Sequence, residues 1–312
     1  MRIVFAGTPE PAVPSLRALL ASAHQVVAVV TRPPAPTGRG RTLRPSPVGA
    51  LAVAEGIPVL SPAGARSPEF AAQLAALGPD AGAIVAYGAL LPPAVLAVPT
   101  HGWINLHFSV LPAWRGAAPV HAAVRHGDDI TGATTFRLEE GMDTGPVFGT
   151  VTETIRPTDT TGALLDRLAD SGAALLVATL DGIEAGTVRA QPQPAHGISY
   201  APKLTAADQI VRWTDPAPAI ERTVRSLTPE PGAFTTFRGD RLGIGPVERT
   251  GLAAGDLPPG VLAAGRRDVL VGTGTAPLRL VTVRPAGRRE MPAADWARGI
   301  RDADGELLGE AS

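Results

Sequence analysis

Apolar residues gather in runs at 2–6, 25–31, 81–87 and 102–108, and these alternate with stretches near 11–22, 47–55, 66–77 and 117–126 whose apolar positions recur at helical spacings. Short continuous apolar runs read as strands covered on both faces, and the intervening pattern reads as amphipathic helices. Strands alternating with helices imply an α/β fold, a doubly wound and mostly parallel Rossmann-like sheet. A further helix is expected from about Thr160 to Glu184, where Leu164, Leu165, Leu168, Leu175, Leu176 and Leu180 fall on helical spacings.

The pattern then changes. QPQPAHGISYAP, at 191–202, has proline and glycine but no apolar periodicity and reads as a linker. Beyond it come one helical segment at about 216–227 and short β runs at 233–237, 241–247, 268–272 and 277–284, separated by Gly/Pro turns. Short strands with frequent turns suggest a smaller, OB-like β-barrel. The expected division is an α/β domain over 1–190, a linker over 191–205 and a C-terminal barrel over 206–312, in a chain long enough for two cores.

One strand breaks the apolar rule. In GWINLHFSVLPAWRGAAPV, at 102–120, an asparagine and a histidine sit two apart. Successive side chains of a strand point to opposite faces, so Asn105 and His107 share one face while Ile104, Leu106 and Phe108 share the other. Pro112 ends the strand pairing soon after. The polar pair therefore lies at the C-terminal end of its strand, where open α/β sheets bind ligands.

Composition narrows the classes. With 28 basic and 29 acidic residues the net charge is -1, so no global field points to a nucleic-acid partner and any such contact must be local. The absence of cysteine removes disulfides, thiolate metal sites and cysteine nucleophiles. Residues 81–114 carry no Asp, Glu, Lys or Arg, yet Gly82, Gly88, Pro92, Pro93 and Pro99 interrupt them too often for a membrane-spanning helix. A protein without membrane association is expected.

Several familiar chemistries are disfavoured. The first strand ends in Gly7-Thr8-Pro9-Glu10, with one glycine where a dinucleotide site carries three. His121 and His126 are five apart and no H-E-x-x-H is present, so no metal site is expected. No G-x-S-x-G accompanies Ser109. A better partner for the Asn/His pair is Asp143, in Glu140-Gly141-Met142-Asp143-Thr144-Gly145, where flanking glycines permit tight turns. An Asp in such a turn is ordinarily a turn residue. With the strand-end pair it offers an amide, an imidazole and a carboxylate to one pocket, a set suited to acyl transfer.

The segments GTPEPAVPSL, GRGRTLRPSPV, VAYGALLP, INLHFSVLPAWRGAAPV, TGATTFRLEEGMDTGPV and REMPAADWARGIR together resemble the methionyl-tRNA formyltransferase family over nearly the whole chain. The N-x-H and D-T-G elements are those of folate-dependent formyltransferases generally; the loop GRGRTLRPSPV and the C-terminal domain narrow the resemblance to the tRNA enzymes. The resemblance implies 10-formyltetrahydrofolate as donor, the α-amine of initiator methionyl-tRNA as acceptor, and a monomer in the cytoplasm. It assigns Asn105, His107 and Asp143 as catalytic, and Tyr87, Gly88, Leu90, Ser109, Val110, Leu111 and Pro112 to the folate site. Asn105 and His107 are then expected to donate hydrogen bonds to the formyl oxygen, with Asp143 taking up protons. Ser-Val-Leu-Pro stands where the family usually has Ser-Leu-Leu-Pro, a small apolar change.

The same resemblance gives meaning to 31–48, which hold Arg32, Arg39, Arg41 and Arg44 and no acidic residue. By themselves they read as a solvated loop; beside a folate pocket, Arg39, Arg41 and Arg44 are expected to contact tRNA phosphates. From Ala206 onward 14 Arg balance 14 acidic residues, so charge alone does not mark the barrel as RNA-binding. Two other readings stand beside this one: a formyltransferase acting on a small amine such as an amino sugar or ribonucleotide, and a non-catalytic binding module. The small-molecule enzyme gives no reason for the arginine loop, and the binding module gives none for convergence of Asn105, His107 and Asp143.

Overall fold

In the computed structural model, which describes residues 1–37, 42–62, 67–253 and 257–309, the first apolar run forms β1 (Arg2–Gly7), buried from Ile3 to Ala6. There follow α1 (Val13–Leu20), β2 (Gln25–Val30), the short antiparallel pair β3 (Ala35–Thr37) and β4 (Thr42–Arg44), α2 (Pro47–Ala54), β5 (Val59–Leu60) and α3 (Pro68–Ala76). Then come β6 (Ala81–Val85), α4 (Pro93–Leu96), β7 (Trp103–His107), β8 (Arg115–Gly116), α5 (Pro119–His126), β9 (Ile130–Arg137), β10 (Val147–Thr154), α6 (Thr161–Glu184) and β11 (Tyr200–Ala201). Ser46 and Ser67 each begin a helix, accepting from the backbone N–H of Gly49 and Phe70.

The main sheet has the order β10-β9-β7-β6-β1-β2-β5. The five strands from β5 to β7 are parallel, and β9 and β10 extend the sheet antiparallel. The chain places β2 and β5 on one side of β1, then crosses to place β6 and β7 on the other. Such a reversal opens a crevice between the C-terminal ends of β1 and β6. It is bridged there by Thr8, whose hydroxyl donates to the Tyr87 carbonyl at 3.2 Å.

The apolar runs did not mark β9 and β10, whose sequences are rich in threonine and glycine. Their pairing is close: a Cβ on Gly132 would stand 2.1 Å from the Val151 carbonyl oxygen. Gly172 of α6 serves the same end on the sheet face, where an added Cβ would meet Leu106 at 3.0 Å. That contact fixes the faces of β7. Leu106 turns toward α6, and Asn105 and His107 turn the other way, on the side where Trp103 joins the core cluster of Ile84, Tyr87, Leu91 and Val95.

The chain divides into two compact units, one of Met1–Pro119, Ile130–Thr154 and Leu165–Pro202, the other of Val120–Asp129, Ile155–Leu164 and Lys203–Ser312. Within the second lie α7 (Ala217–Ser226), β12 (Ala233–Phe237), β13 (Asp240–Ile244), β14 (Val247–Arg249), β15 (Leu262–Ala264), β16 (Val269–Val271), β17 (Leu278–Leu280), β18 (Thr282–Pro285), β19 (Met291–Pro292) and α8 (Ala293–Arg298). They form two four-stranded antiparallel sheets, β12-β13-β18-β19 and β14-β17-β16-β15, over one core containing Trp213, Ile220, Val224, Leu242, Val269, Leu278 and Val283.

The runs read from sequence as single strands at 241–247 and 277–284 are each divided between the two sheets. Both cross at one place. Gly245 N–H donates to Thr282 O and Val281 N–H to Pro246 O, both at 3.0 Å, and a Cβ on Gly245 would stand 2.0 Å from the Thr282 hydroxyl.

Candidate active site

β7 delivers the strand-end pair by register: Asn105 lies between Ile84 of β6 and Phe136 of β9, and His107 opposite Thr134. Asn105 is half-buried, and its amide has no hydrogen-bond partner among the described residues. His107 is buried, its ring nearly perpendicular to that of Phe136 with centroids 6.4 Å apart. Its Nε2 lies 2.9 Å from the carbonyl oxygen of Trp114, a residue in the left-handed region at φ 58°. A carbonyl only accepts, so Nε2 carries the proton. In the neutral ring this leaves Nδ1 as an acceptor, 3.8 Å from Asp143 Oδ2.

Asp143 sits between β9 and β10 with φ 51°, a conformation that aspartate tolerates better than most residues. Gly145 permits the turn, because a Cβ there would stand 1.8 Å from the Arg137 carbonyl oxygen. The Asp143 carboxylate is aimed by the Gly116 N–H, which donates to Oδ2 at 2.7 Å. The separation from His107 is too long for a hydrogen bond between the two side chains. Two acceptors facing each other across such a gap suit a third group that brings its own N–H or O–H.

This geometry modifies the expectation that His107 donates to the formyl oxygen. One ring nitrogen is already committed to Trp114, and the other can donate only from the imidazolium. Of the residues read from sequence as catalytic, Asn105 alone has an uncommitted donor group in either state of the ring.

The strand-end loop is held internally. Ser109 has no exposed surface; its hydroxyl donates to Ala113 O at 2.6 Å, and its carbonyl accepts from Thr134 Oγ at 2.7 Å. Expected at the folate site, Ser109 builds the loop from beneath and presents no atom of its own at the surface. Val110 and Pro112 are half-buried and Leu111 is buried.

Across the crevice, Tyr87 is buried, and desolvation raises its phenol above the usual value while Arg32 opposes the shift. Gly88, at φ 79°, accepts from Arg32 Nη2 at 2.9 Å, and Leu90 is 77% exposed. Arg44 is exposed on β4, whereas Arg39 and Arg41 lie outside the described residues.

Four contributions had no sequence signal: the Trp114 carbonyl, the Gly116 N–H, Arg115 and Gln193. The segment read as a linker supplies Gln193 and belongs as far as Pro202 to the first unit. There β11 pairs in parallel with β8, while Ser199 accepts from Trp114 N–H through its hydroxyl and from Arg115 N–H through its carbonyl, both at 2.9 Å. A side chain on Gly116, at φ 120°, would place Cβ 2.5 Å from the Ala201 carbonyl oxygen. Backbone packing this close leaves no pattern of apolar residues to read.

A family model described as formyl transferase matches residues 1–180, and one described as the formyl transferase C-terminal domain matches 203–301. The class is thus a formyl-transferring α/β enzyme with an appended C-terminal domain. The chain is 59% identical over 309 residues to the methionyl-tRNA formyltransferase of Salinispora tropica, covering 99% of this chain and 100% of that one. It is 60% identical over 310 residues to that of Thermobifida fusca, with the same coverage. The chain belongs to the methionyl-tRNA formyltransferase family.

Among solved structures, an N-formyltransferase from Helicobacter canadensis with folinic acid and dTDP-3-aminofucose shares the fold with a TM-score of 0.68 at 16% identity, covering 90% of this chain and 99% of that one. HypX from Aquifex aeolicus with tetrahydrofolic acid gives a TM-score of 0.65 at 19% identity, covering 97% of this chain and 47% of that one.

Proposed function

We propose that the protein transfers the formyl group of 10-formyltetrahydrofolate to the α-amine of initiator methionyl-tRNA, for translation initiation. The observation that carries this is the meeting of His107 and Asp143, with Asn105 on the same strand face as His107, at the ligand-binding end of the sheet, in a chain 59% identical end to end to a methionyl-tRNA formyltransferase. The small-amine alternative is not favoured, because the relatives of similar identity carry the tRNA enzyme's name over their full length. No described helix is long and apolar enough to cross a membrane.

In this reading the amine lies beside the pair, within hydrogen-bond reach of both His107 Nδ1 and Asp143 Oδ2, and both groups accept from its N–H bonds. Its nitrogen attacks the formyl carbon, and the charge that grows on the formyl oxygen is met by the Asn105 amide. The surplus proton of the amine passes to the imidazole–carboxylate pair and then to the departing folate nitrogen, so no proton is gained or lost overall. The donor lies in the crevice beyond β1 and β6, against Tyr87, Gly88, Leu90, Val110, Leu111 and Pro112. Arg39, Arg41 and Arg44, with the C-terminal unit, hold the acceptor RNA. The reading includes a monomer in the cytoplasm.

The test uses purified protein and 10-formyltetrahydrofolate with charged initiator tRNA, set beside a panel of amino sugars and amino ribonucleotides. Formylmethionyl-tRNA is expected, with no formylated small amine. Product only from the small amines would overturn the reading.

A further inference from the structure

The side chain of Gln193 makes four hydrogen bonds, as many as a carboxamide ordinarily makes. Its amide nitrogen donates to the carbonyl oxygens of Asp143 at 2.7 Å and Gly145 at 2.8 Å; its oxygen accepts from Arg115 Nε at 3.2 Å and Nη2 at 2.6 Å. Arg115 is buried, and Gln193 is the only hydrogen-bond partner of its guanidinium among the described residues. Next to Arg115 in the chain is Gly116, whose N–H holds the Asp143 carboxylate. The contacts close a ring: the Asp143 carboxylate to Gly116, along the chain to Arg115, across to Gln193, and back to the Asp143 carbonyl.

A buried guanidinium bonded only to a neutral amide is a costly arrangement, and a core built for stability alone would place an apolar residue there. The arrangement does fix something specific. Asp143 sits in the left-handed region, in a turn with Gly141 and Gly145 on either side, and such a turn has other conformations available once untethered. Gln193 holds both carbonyls of the turn at once, and Arg115 fixes the amide so that its NH2, and not its oxygen, faces them.

We infer that Gln193, oriented by Arg115, is a positioning residue for Asp143, setting the carboxylate at its working distance from His107. The inference rests on the proposal that the Asp143 carboxylate takes part in formyl transfer. Two substitutions separate positioning from simple support. Gln193→Ala removes all four bonds. Gln193→Glu retains the contact with Arg115, as an ion pair, and replaces the donation to the turn by repulsion between a carboxylate oxygen and the two carbonyls.

Both variants are expected to lower kcat by roughly 10- to 100-fold, as misplacement of a reacting group does. KM for folate and for charged tRNA is expected to stay within about twofold. In an Asp143→Asn background neither substitution is expected to reduce kcat further, because the group it positions is already gone. If Asp143→Asn is impaired and Gln193→Glu lowers kcat by the same factor in that background as in wild type, Gln193 does not act through Asp143 and the inference falls. Wild-type kcat in Gln193→Glu overturns it too. Near-normal turnover of Asp143→Asn alone instead sinks the underlying catalytic reading, and the inference with it.

Discussion

His107 Nδ1 and Asp143 Oδ2 stand 3.8 Å apart, each side chain held by backbone: the Trp114 carbonyl on the far nitrogen of the imidazole, the Gly116 N–H on the same carboxylate oxygen that faces the ring. The pair is therefore fixed before any substrate arrives, which is the sense in which a site is preorganised.

Asp143→Asn keeps the shape of this arrangement, since an amide oxygen still accepts from Gly116 N–H, and removes the charge. Turnover is expected to fall on the order of 100-fold or more, with folate affinity retained. Single-turnover formylation of charged tRNA beside equilibrium folate binding decides it. Equal losses in both would mean that the carboxylate supports the pocket and not the transfer.

Gly116→Ala tests the backbone donor. At φ 120°, with the Ala201 carbonyl 2.5 Å from the new Cβ, the substitution both strains residue 116 and forces β8 from β11. A loss of about 1–3 kcal/mol in denaturant stability is expected, together with reduced turnover at temperatures where the variant remains folded. A stable and fully active variant would show that Asp143 does not need this N–H.

The arginine proposal concerns Arg44, exposed on β4, and Arg39 and Arg41 beside it in sequence. Changing all three to Ala is expected to weaken binding of charged tRNA and flatten its salt dependence by roughly two to three units of log–log slope. Folate affinity should be spared, because the donor crevice is built from other elements. Parallel salt plots for wild type and variant would exclude phosphate contacts by these residues.

In the second unit, His121 Nε2 donates to the Glu230 carbonyl at 3.3 Å. Burial holds the imidazole below its ordinary value of 6.5, and the Glu230 carbonyl partly offsets the shift. The folded-state pKa thus lies beneath the unfolded one, so the unfolded chain binds protons first as pH falls. Stability from neutral His121 is present in full above the unfolded value and is lost as pH drops through it toward the folded value. His121→Gln keeps a donor to Glu230 and does not titrate. Its melting temperature should fall less than wild type between about pH 7.5 and about pH 5.5; equal falls would exclude His121 as the cause.

By itself the sequence determined the parallel strands, because Ile3–Ala6, Ala28–Val30 and Ala81–Val85 are buried on both faces and leave continuous apolar runs. It also determined that Asn105 and His107 share a face, since strand alternation is a local property, and it singled out Asp143 through its flanking glycines. Tertiary structure decided the rest. The β9–β10 pair is coded by threonine and glycine, not by an apolar stripe, and the runs 241–247 and 277–284 divide between sheets because Gly245 and Thr282 must pass at contact distance. The distance from His107 to Asp143, the tautomer of the imidazole and the tether through Gln193 depend on backbone carbonyls and N–H groups of distant segments. Every residue but proline carries both groups, so which of them meet is settled only when the chain is folded.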